Sequence, residues 1–190
     1  MGIKACPRSI GFRYSLVLPR QRLLLQTRSR AQVNSNERGH ALTALGFAAL
    51  LGLVAVMAYI RLAPSDPKIW HVAISNDAPA RPGPCADQVQ PLRNGARALC
   101  LVQGKPSEVL AKLAAIAEAY PRTSRLAGSA AEGRMTWFAR SRIMGFPDFI
   151  TAEVSAVPDG TRLEVFARQR FGEGDMGVNA ARLRVWLSQI

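Results

Sequence analysis

Residues 41–60 form the longest apolar stretch of the chain and contain no charged side chain. Basic groups flank this stretch, with Arg38 and His40 before it and Arg61 after it. Twenty residues in a helix span about 30 Å, the thickness of the hydrocarbon core of a bilayer. The pattern therefore predicts one transmembrane helix over residues 41–60.

Prolines are dense in the segment that follows, residues 61–97, and they predict an extended linker. The six prolines are Pro64, Pro67, Pro79, Pro82, Pro84 and Pro91. Trp70 lies in the first part of this segment. We expect Trp70 either at the level of the lipid headgroups or packed on the folded domain, and the sequence leaves both positions open.

A folded domain is predicted over residues 98–190, and it begins with a strand at residues 98–103. A helix follows at about residues 107–120 and ends at Pro121. The buried face of this helix is predicted from residues that recur at helical spacing: Val109, Leu113, Ile116 and Tyr120. Residues 123–131 form a weaker strand candidate.

Three further segments alternate between apolar and polar positions, as strands with one buried face do. They cover residues 135–144, 149–157 and 161–171. The positions predicted to face the core are Met135, Trp137, Ala139, Ser141, Ile143, Ile150, Ala152, Val154, Ala156, Leu163, Val165, Ala167 and Phe171. The turn sequence Pro158-Asp159-Gly160 predicts a hairpin between the last two strands.

A second helix is predicted at about residues 177–190, with an apolar stripe of Leu183, Trp186, Leu187 and Ile190. Because each strand offers one apolar face, we expect the two helices to cover that face. The predicted fold class is α+β, a small antiparallel sheet with two helices packed on one face, preceded by one transmembrane helix.

The net charge of +12 lies mostly in the first forty residues. Residues 1–40 hold eight Lys or Arg and one acid, whereas residues 62–190 hold sixteen Lys or Arg and twelve acids. Residues 1–40 show no sustained apolar period, which predicts a disordered basic tail. Since the domain is nearly balanced in charge, the sequence does not point to a nucleic-acid partner.

Basic residues beside a membrane span stay on the cytoplasmic side. We therefore predict a bacterial inner-membrane protein with a cytoplasmic N-terminus and a periplasmic C-terminal domain. Other interpretations of the N-terminus stay open: a signal peptide cut after Ala58, an organelle-targeting peptide, or a tail that is partly a start-site artefact.

The three cysteines are Cys6, Cys85 and Cys100. Cys85 and Cys100 both fall in the predicted exported part, where a disulfide can persist, and the alternative is two unpaired thiols. The only histidines, His40 and His71, do not lie near a cysteine pair, so no metal site and no cofactor are predicted. No catalytic set is recognisable, because the predicted domain contains no histidine to activate a nucleophile.

Arginines and aromatic residues share the predicted polar face of the strands. The candidate ligand-binding residues on this face are Arg140, Arg142, Arg168 and Arg170, with Phe138 and Phe166 between them. Guanidinium groups beside aromatic rings can hold a carboxylate or phosphate. The alternative is a solvated face stabilised by cross-strand pairs between arginines and the acids Glu153 and Glu164.

The turn before the last helix supplies two further candidate ligand-binding residues, Asp175 and Asn179. Asp175 suits the capping of the helix, and Asn179 is predicted to face the sheet and bond to its backbone. A functional interpretation makes Glu173 and Asp175 acids or cation ligands. A structural interpretation makes this segment a helix cap and a packing turn.

Three stretches of this sequence resemble the DUF1499 family, a domain of unknown function. The stretches are Pro121-Arg122-Thr123 with residues 125–129 and 132–133, Arg140-Ser141 with residues 145–149, and Arg168-Gln169-Arg170-Phe171-Gly172 with residues 175–179 and Arg182. The spacer residues Glu173 and Gly174 depart from the family's usual pattern. The resemblance implies a small α+β domain at a membrane and carries no established activity, cofactor or catalytic residue.

These observations predict a membrane-anchored module that binds an anionic or lipid-like ligand rather than an enzyme. The expected partners are the membrane itself and a lipid or an acidic protein segment. Two alternatives are an envelope scaffold that docks another membrane protein and an enzyme of unknown reaction that uses Glu173 and Asp175.

Overall fold

The N-terminal helix, α1 (Arg20–Leu62), is longer than the predicted span. No proline lies between Pro19 and Pro64, and the intervening sequence is rich in Leu, Arg, Gln and Ala, which favour a helix. The helix therefore extends into the segment predicted to be disordered. The remainder of that prediction, residues 1–19, lies outside the described residues.

The computed structural model describes residues 20–74 and 80–190, with side chains from Glu37 onward. Within α1, Glu37–Leu62 is a 26-residue stretch that is long and apolar enough to cross a membrane. It is the only such helix among the described residues. The predicted span, residues 41–60, lies inside this stretch.

The chain divides into two units, Met1–Gly52 and Leu53–Ile190. In the second unit, the end of α1 is followed by two short helices, six strands and two longer helices. These elements are α2 (Pro67–Trp70), a 3-10 helix (Cys85–Gln88), β1 (Gln90–Leu92), β2 (Gly95–Val102), α3 (Pro106–Ala119), β3 (Thr123–Ser129), β4 (Arg134–Arg140), β5 (Pro147–Val157), β6 (Gly160–Gln169) and α4 (Val178–Leu187).

The six strands form one antiparallel sheet in the order β1-β2-β6-β5-β4-β3. The predicted hairpin joins β5 to β6, and Val157 pairs with Gly160 across its turn. Helices α3 and α4 pack on one face of the sheet. The predicted fold class, an antiparallel α+β domain preceded by one long apolar helix, is confirmed.

The core lies between this face and the two helices. Alternate residues of β4, β5 and β6 point into it, as the period of two predicts. Its largest fully buried side chains include Trp137, Trp186, Leu110 and Leu113. Two Trp rings, those of Trp137 and Trp186, meet edge to face with centroids 6.1 Å apart. This arrangement favours a fixed orientation of α4 on the sheet.

Two predicted strands end earlier than the alternating pattern suggests. Because β4 stops at Arg140, Ser141 and Ile143 belong to a loop, and Ile143 is exposed instead of facing the core. Gly145 turns this loop with a φ of +73°, which favours glycine. Phe171 lies beyond β6 and contacts Phe146 instead of the core. These three assignments to the core face were wrong, because loop residues continued the alternation by chance.

The sheet begins before residue 98, within the predicted linker. Strand β1 and the first residues of β2 fall in that segment, and Pro91 is tolerated because β1 is an edge strand. A disulfide between Cys85 and Cys100 joins the 3-10 helix to β2. The proline-rich sequence therefore includes an edge of the domain.

Residues 63–74 directly follow the stretch that is apolar enough to cross a membrane, and we call them the juxtamembrane segment for that reason alone. This segment covers part of the second face of the sheet. The Trp70 ring stacks on Phe149 with a centroid separation of 3.9 Å and an interplanar angle of 8°. Next to it, Nδ1 of His71 lies 2.9 Å from the hydroxyl of Thr136. Trp70 thus packs on the domain, which is one of the two positions that the sequence left open.

We expect Trp70→Ala to lower the free energy of unfolding by about 2 kcal/mol, because it removes a half-buried ring stacked on Phe149. Urea unfolding of the detergent-solubilised full chain, followed by circular dichroism, measures this loss. Ile69→Ala is the matched control, since the Ile69 side chain is exposed and its truncation should change stability by less than about 0.5 kcal/mol. Equal effects of the two substitutions would contradict the packing role of Trp70.

Candidate functional site

An open cleft of about 470 Å³ lies beside the end of α1. Four arginines contribute to its wall, and one aromatic ring, two serines and a glycine complete it. We call this site the arginine cleft, and its lining residues are Arg61, Arg122, Ser124, Phe138, Arg140, Ser141, Arg142 and Gly145. Two of the predicted ligand-binding residues, Arg140 and Arg142, therefore lie in one cavity.

Strand β4 and the loop after it position one wall of the arginine cleft. Arg140 is the last residue of β4, and its Nη1 donates to the carbonyl of Gly145 at 3.1 Å. Its guanidinium carbon lies 5.3 Å from the centre of the Phe138 ring. The hydrogen bond to Gly145 and the cation–π contact with Phe138 fix the position of the Arg140 side chain beside the loop after β4.

Two further arginines of the cleft, Arg61 at the end of α1 and Arg122 just before β3, are held by hydrogen bonds to backbone carbonyls. Arg61 donates from Nη2 to the carbonyl of Ile143 at 2.9 Å, and the lack of a side chain at Gly145 leaves room for it. Arg122 donates from Nε to the carbonyl of Arg140 at 3.2 Å. The backbones of Arg122 and Arg140 are also paired, with the Arg140 N–H donating to the Arg122 carbonyl.

Positive charge in this cleft is not balanced by acids. None of the described carboxylates forms an ion pair with Arg61, Arg122, Arg140 or Arg142. Each guanidinium group has five N–H donors, and those of Arg61, Arg122 and Arg140 each donate to one backbone carbonyl. Like charges held in one cleft repel, so an anion bound there would relieve the repulsion.

Other arginines of the sheet do form the cross-strand pairs that the sequence offered as an alternative. Arg134 pairs with Glu153 directly opposite it on β5. Arg97 on β2 approaches Glu164 on β6, whose side chain is fully buried, and Arg162 reaches the same carboxylate from within β6. The polar face is therefore divided between a paired region and the arginine cleft.

Arg168 and Arg170 lie outside the arginine cleft and bind the juxtamembrane segment. Arg168 donates from Nη2 to the carbonyl of Trp70 at 2.8 Å, and Arg170 donates from Nη1 to the carbonyl of Pro64 at 2.8 Å. Burial lowers the pKa of Arg168 from its ordinary value. Both guanidinium groups therefore donate hydrogen bonds to backbone carbonyls of residues 63–74 in the structure.

Asp175 and Asn179 are buried and form part of a polar network at the start of α4. The Asp175 carboxylate accepts hydrogen bonds from the backbone N–H groups of Gly177 and Asn179, each at 3.0 Å. Asn179 accepts a hydrogen bond from Arg182 through its side chain, not from the backbone of the sheet. Arg182 donates from both Nη atoms to Oδ2 of Asp148 at 3.2 Å. The contacts match the structural interpretation of this turn.

Glu173 differs from Asp175 in its surroundings. Its side chain is 95% exposed and lies 3.7 Å from Arg93, itself an exposed residue. Asp175 is engaged by the start of α4. The structure therefore places one of these two acids in solvent and the other inside the helix cap.

The model of the family described as "Protein of unknown function (DUF1499)" matches residues 61–190. The chain belongs to the DUF1499 family. No curated protein matches it. The match includes the juxtamembrane segment and Arg61, so the part of this DUF1499 protein that carries the arginine cleft lies wholly within the family region.

Sequence reasoning missed two of the four arginines of the cleft in this DUF1499 protein. The position of Arg122 could have been predicted from the sequence. If the predicted strands at residues 123–131 and 135–144 pair as a hairpin, Arg122 lies next to Arg140, as the structure has it. This was not possible for Arg61, which was interpreted only as a flank of the span. Its contact with Ile143 joins residues that are 82 positions apart.

The buried network of this DUF1499 domain contains a perturbed acid, Asp148. Burial raises the pKa of its carboxyl above the ordinary 3.8, the nearby Asp175 acts in the same direction, and Arg182 opposes the rise. The folded chain therefore holds this proton more tightly than the unfolded chain does. The resulting contribution to stability is full below pH 3.8 and is lost as the pH rises through the raised pKa.

We expect Arg182→Met to lower the free energy of unfolding by about 3 kcal/mol near neutral pH, because it leaves the Asp148 carboxylate buried without its cation. The pKa of Asp148 should rise further, so the loss should shrink as the pH falls from about 7 to about 4. Urea unfolding at several pH values measures both effects. The control is Asp148→Asn combined with Arg182→Met, which should remove the added pH dependence. A loss that is independent of pH would contradict this account.

Proposed function

We propose that this DUF1499 protein is a single-pass membrane protein whose domain binds the phosphate group of a lipid in the arginine cleft. The observation that carries the proposal is the grouping of Arg61, Arg122, Arg140 and Arg142 around one cavity with no described carboxylate partner. Guanidinium groups bind phosphate through paired, charge-assisted hydrogen bonds.

The position of Arg61 favours a lipid over a free phosphate ion. Arg61 lies in the last turn of α1, at the end of the stretch that is apolar enough to cross a membrane. If this stretch spans the bilayer, a cavity with Arg61 in its wall lies at the depth of the lipid headgroups. Phe138 adds an apolar surface on which the glycerol part of a lipid can pack.

The composition of the cleft supports binding rather than catalysis. Its described lining residues include Ser124 and Ser141 but no His, Cys, Asp or Glu side chain. A serine needs a neighbouring base to act as a nucleophile. The Ser141 hydroxyl instead accepts a hydrogen bond from the backbone N–H of Phe146 at 3.0 Å.

The proposed orientation has a cytoplasmic N-terminus and an exported domain, in the inner membrane and periplasm of a bacterium. Two observations support it. Eight basic residues precede the apolar stretch within residues 1–40. The disulfide between Cys85 and Cys100 suits an oxidising compartment.

We expect Arg122→Gln and Arg142→Gln each to weaken binding of phosphatidylglycerol by about tenfold, since each removes one charged contact. Native mass spectrometry of the delipidated full chain in detergent measures the affinity. Arg184→Gln is the matched control, because Arg184 is an exposed arginine of α4 that does not line the cleft. This control should bind like the unchanged protein.

A competition experiment with inorganic phosphate distinguishes a site for a lipid headgroup from a site for free phosphate. Inorganic phosphate at millimolar concentration should displace little lipid if the cleft selects a headgroup. Full displacement, with equal binding of the ion alone, would instead identify a free phosphate site. Equal affinity for phosphatidylglycerol and phosphatidylcholine, unaffected by either substitution, would overturn the proposal.

We expect alkaline phosphatase fused after Ile190 to be active in a bacterial host, because the domain should be exported. The matched control fuses the enzyme after Asn36, before the apolar stretch, and should be inactive. Cell fractionation of the unfused chain should recover it at full length in the membrane fraction. An inactive C-terminal fusion would reverse the orientation, and a shortened soluble product would show that the apolar stretch is a cleaved signal peptide.

A further inference from the structure

Large apolar side chains that face solvent are unevenly distributed over the domain. Among the residues that the structure describes outside α1, the three most exposed are Met176, Ile143 and Ile69, at 97%, 77% and 63% exposure. Single exposed apolar residues are common on protein surfaces, so their location decides whether they matter.

Ile143 and Met176 lie at the same end of the sheet. The antiparallel register places the loop after β4, the loop after β6 and the turn between β1 and β2 together. We call this the loop end of the sheet, formed by residues 141–146, 170–177 and 93–94. Met176 has a φ of 50°, a left-handed conformation that non-glycine residues rarely adopt.

The end of α1 and the juxtamembrane segment join the loop end directly. Arg61 binds the carbonyl of Ile143, and the Tyr59 ring meets Phe171 edge to face with centroids 6.4 Å apart. Ile69 belongs to the juxtamembrane segment, whose Pro64 carbonyl is held by Arg170. All three exposed apolar side chains therefore lie in segments that contact the loop end or its neighbouring strands.

The opposite end of the sheet has a different composition. Its connections are residues 103–105, 130–133 and 158–159, and none of them carries a large exposed apolar side chain. Their charged residues, Lys105, Glu132 and Asp159, are of both signs. The loop end also holds charges of both signs, with Glu173 and Asp175 beside its arginines. It differs by adding exposed apolar tips and aromatic rings, which together with arginines are typical of a surface at a membrane interface.

We infer that the loop end lies on the bilayer surface and that Ile143 and Met176 insert below the headgroups. Arg142, exposed beside Ile143, would then face the phosphate layer. This inference rests on the membrane anchor of the proposed function but not on lipid binding in the arginine cleft. It assigns a second, peripheral contact with lipid to a domain that is tethered through α1.

Fluorescent probes in the full-length chain test the docking. Ile143→Cys, Met176→Cys and the control Asp159→Cys are each made together with Cys6→Ser, with the Cys85–Cys100 disulfide left intact. Each thiol is labelled with nitrobenzoxadiazole, and the protein is reconstituted into phosphatidylcholine vesicles with or without phosphatidylglycerol. Doxyl-labelled phosphatidylcholine then quenches probes that lie within the bilayer.

We expect the probes at positions 143 and 176 to lose most of their emission to the doxyl lipid, and the probe at 159 to lose almost none. The same result in vesicles of phosphatidylcholine alone would support the docking even if the arginine cleft binds no lipid. Equal, weak quenching at all three positions in protein that floats with the vesicles would overturn the docking. Protein that does not float with the vesicles would overturn the anchor on which the inference rests.

Discussion

The stacking of Trp70 on Phe149 is the contact on which the arrangement of this domain depends. An antiparallel sheet with helices on one side leaves its other side to water unless the chain supplies a cover. Here the cover is the juxtamembrane segment, held by Trp70 and by the arginines that bind its carbonyl groups. Because this segment directly follows α1, the same contacts hold the end of the apolar helix against the sheet.

The arginines of the domain have three different kinds of surroundings in the structure, and residue type alone does not tell them apart. Some neutralise buried acids, as Arg162 does with Glu164. Others, Arg168 and Arg170, satisfy backbone carbonyls of a covering segment. The remaining group surrounds an open cavity and has no described acidic partner. Only the last arrangement leaves charge available to a ligand, and it arises where the sheet meets the end of α1.

Local patterns in the sequence predicted the fold well, because strand alternation and helical spacing depend on near neighbours. Trp137, Leu163 and Trp186 are buried as expected. For residues 63–74, the sequence offered packing of Trp70 on the domain as one of two positions, but it did not identify Phe149 as the partner, since that contact joins distant positions. Two of the four arginines of the cleft were predicted from the sequence, because local patterns identify neighbours in the chain but not distant contacts. Arg140 and Arg142 follow from one strand and its loop, whereas Arg61 enters through a long-range contact.

Arg61 belongs to both the apolar helix and the cavity wall, and this has a consequence for the boundary of the domain. A soluble fragment that starts after the helix would retain the sheet, both large helices and the disulfide, yet it would lack one quarter of the cationic groups around the cavity. Ligand screens on such a fragment would therefore sample an incomplete pocket. The last turn of the apolar helix and the sheet with its loops together form the wall of this cavity.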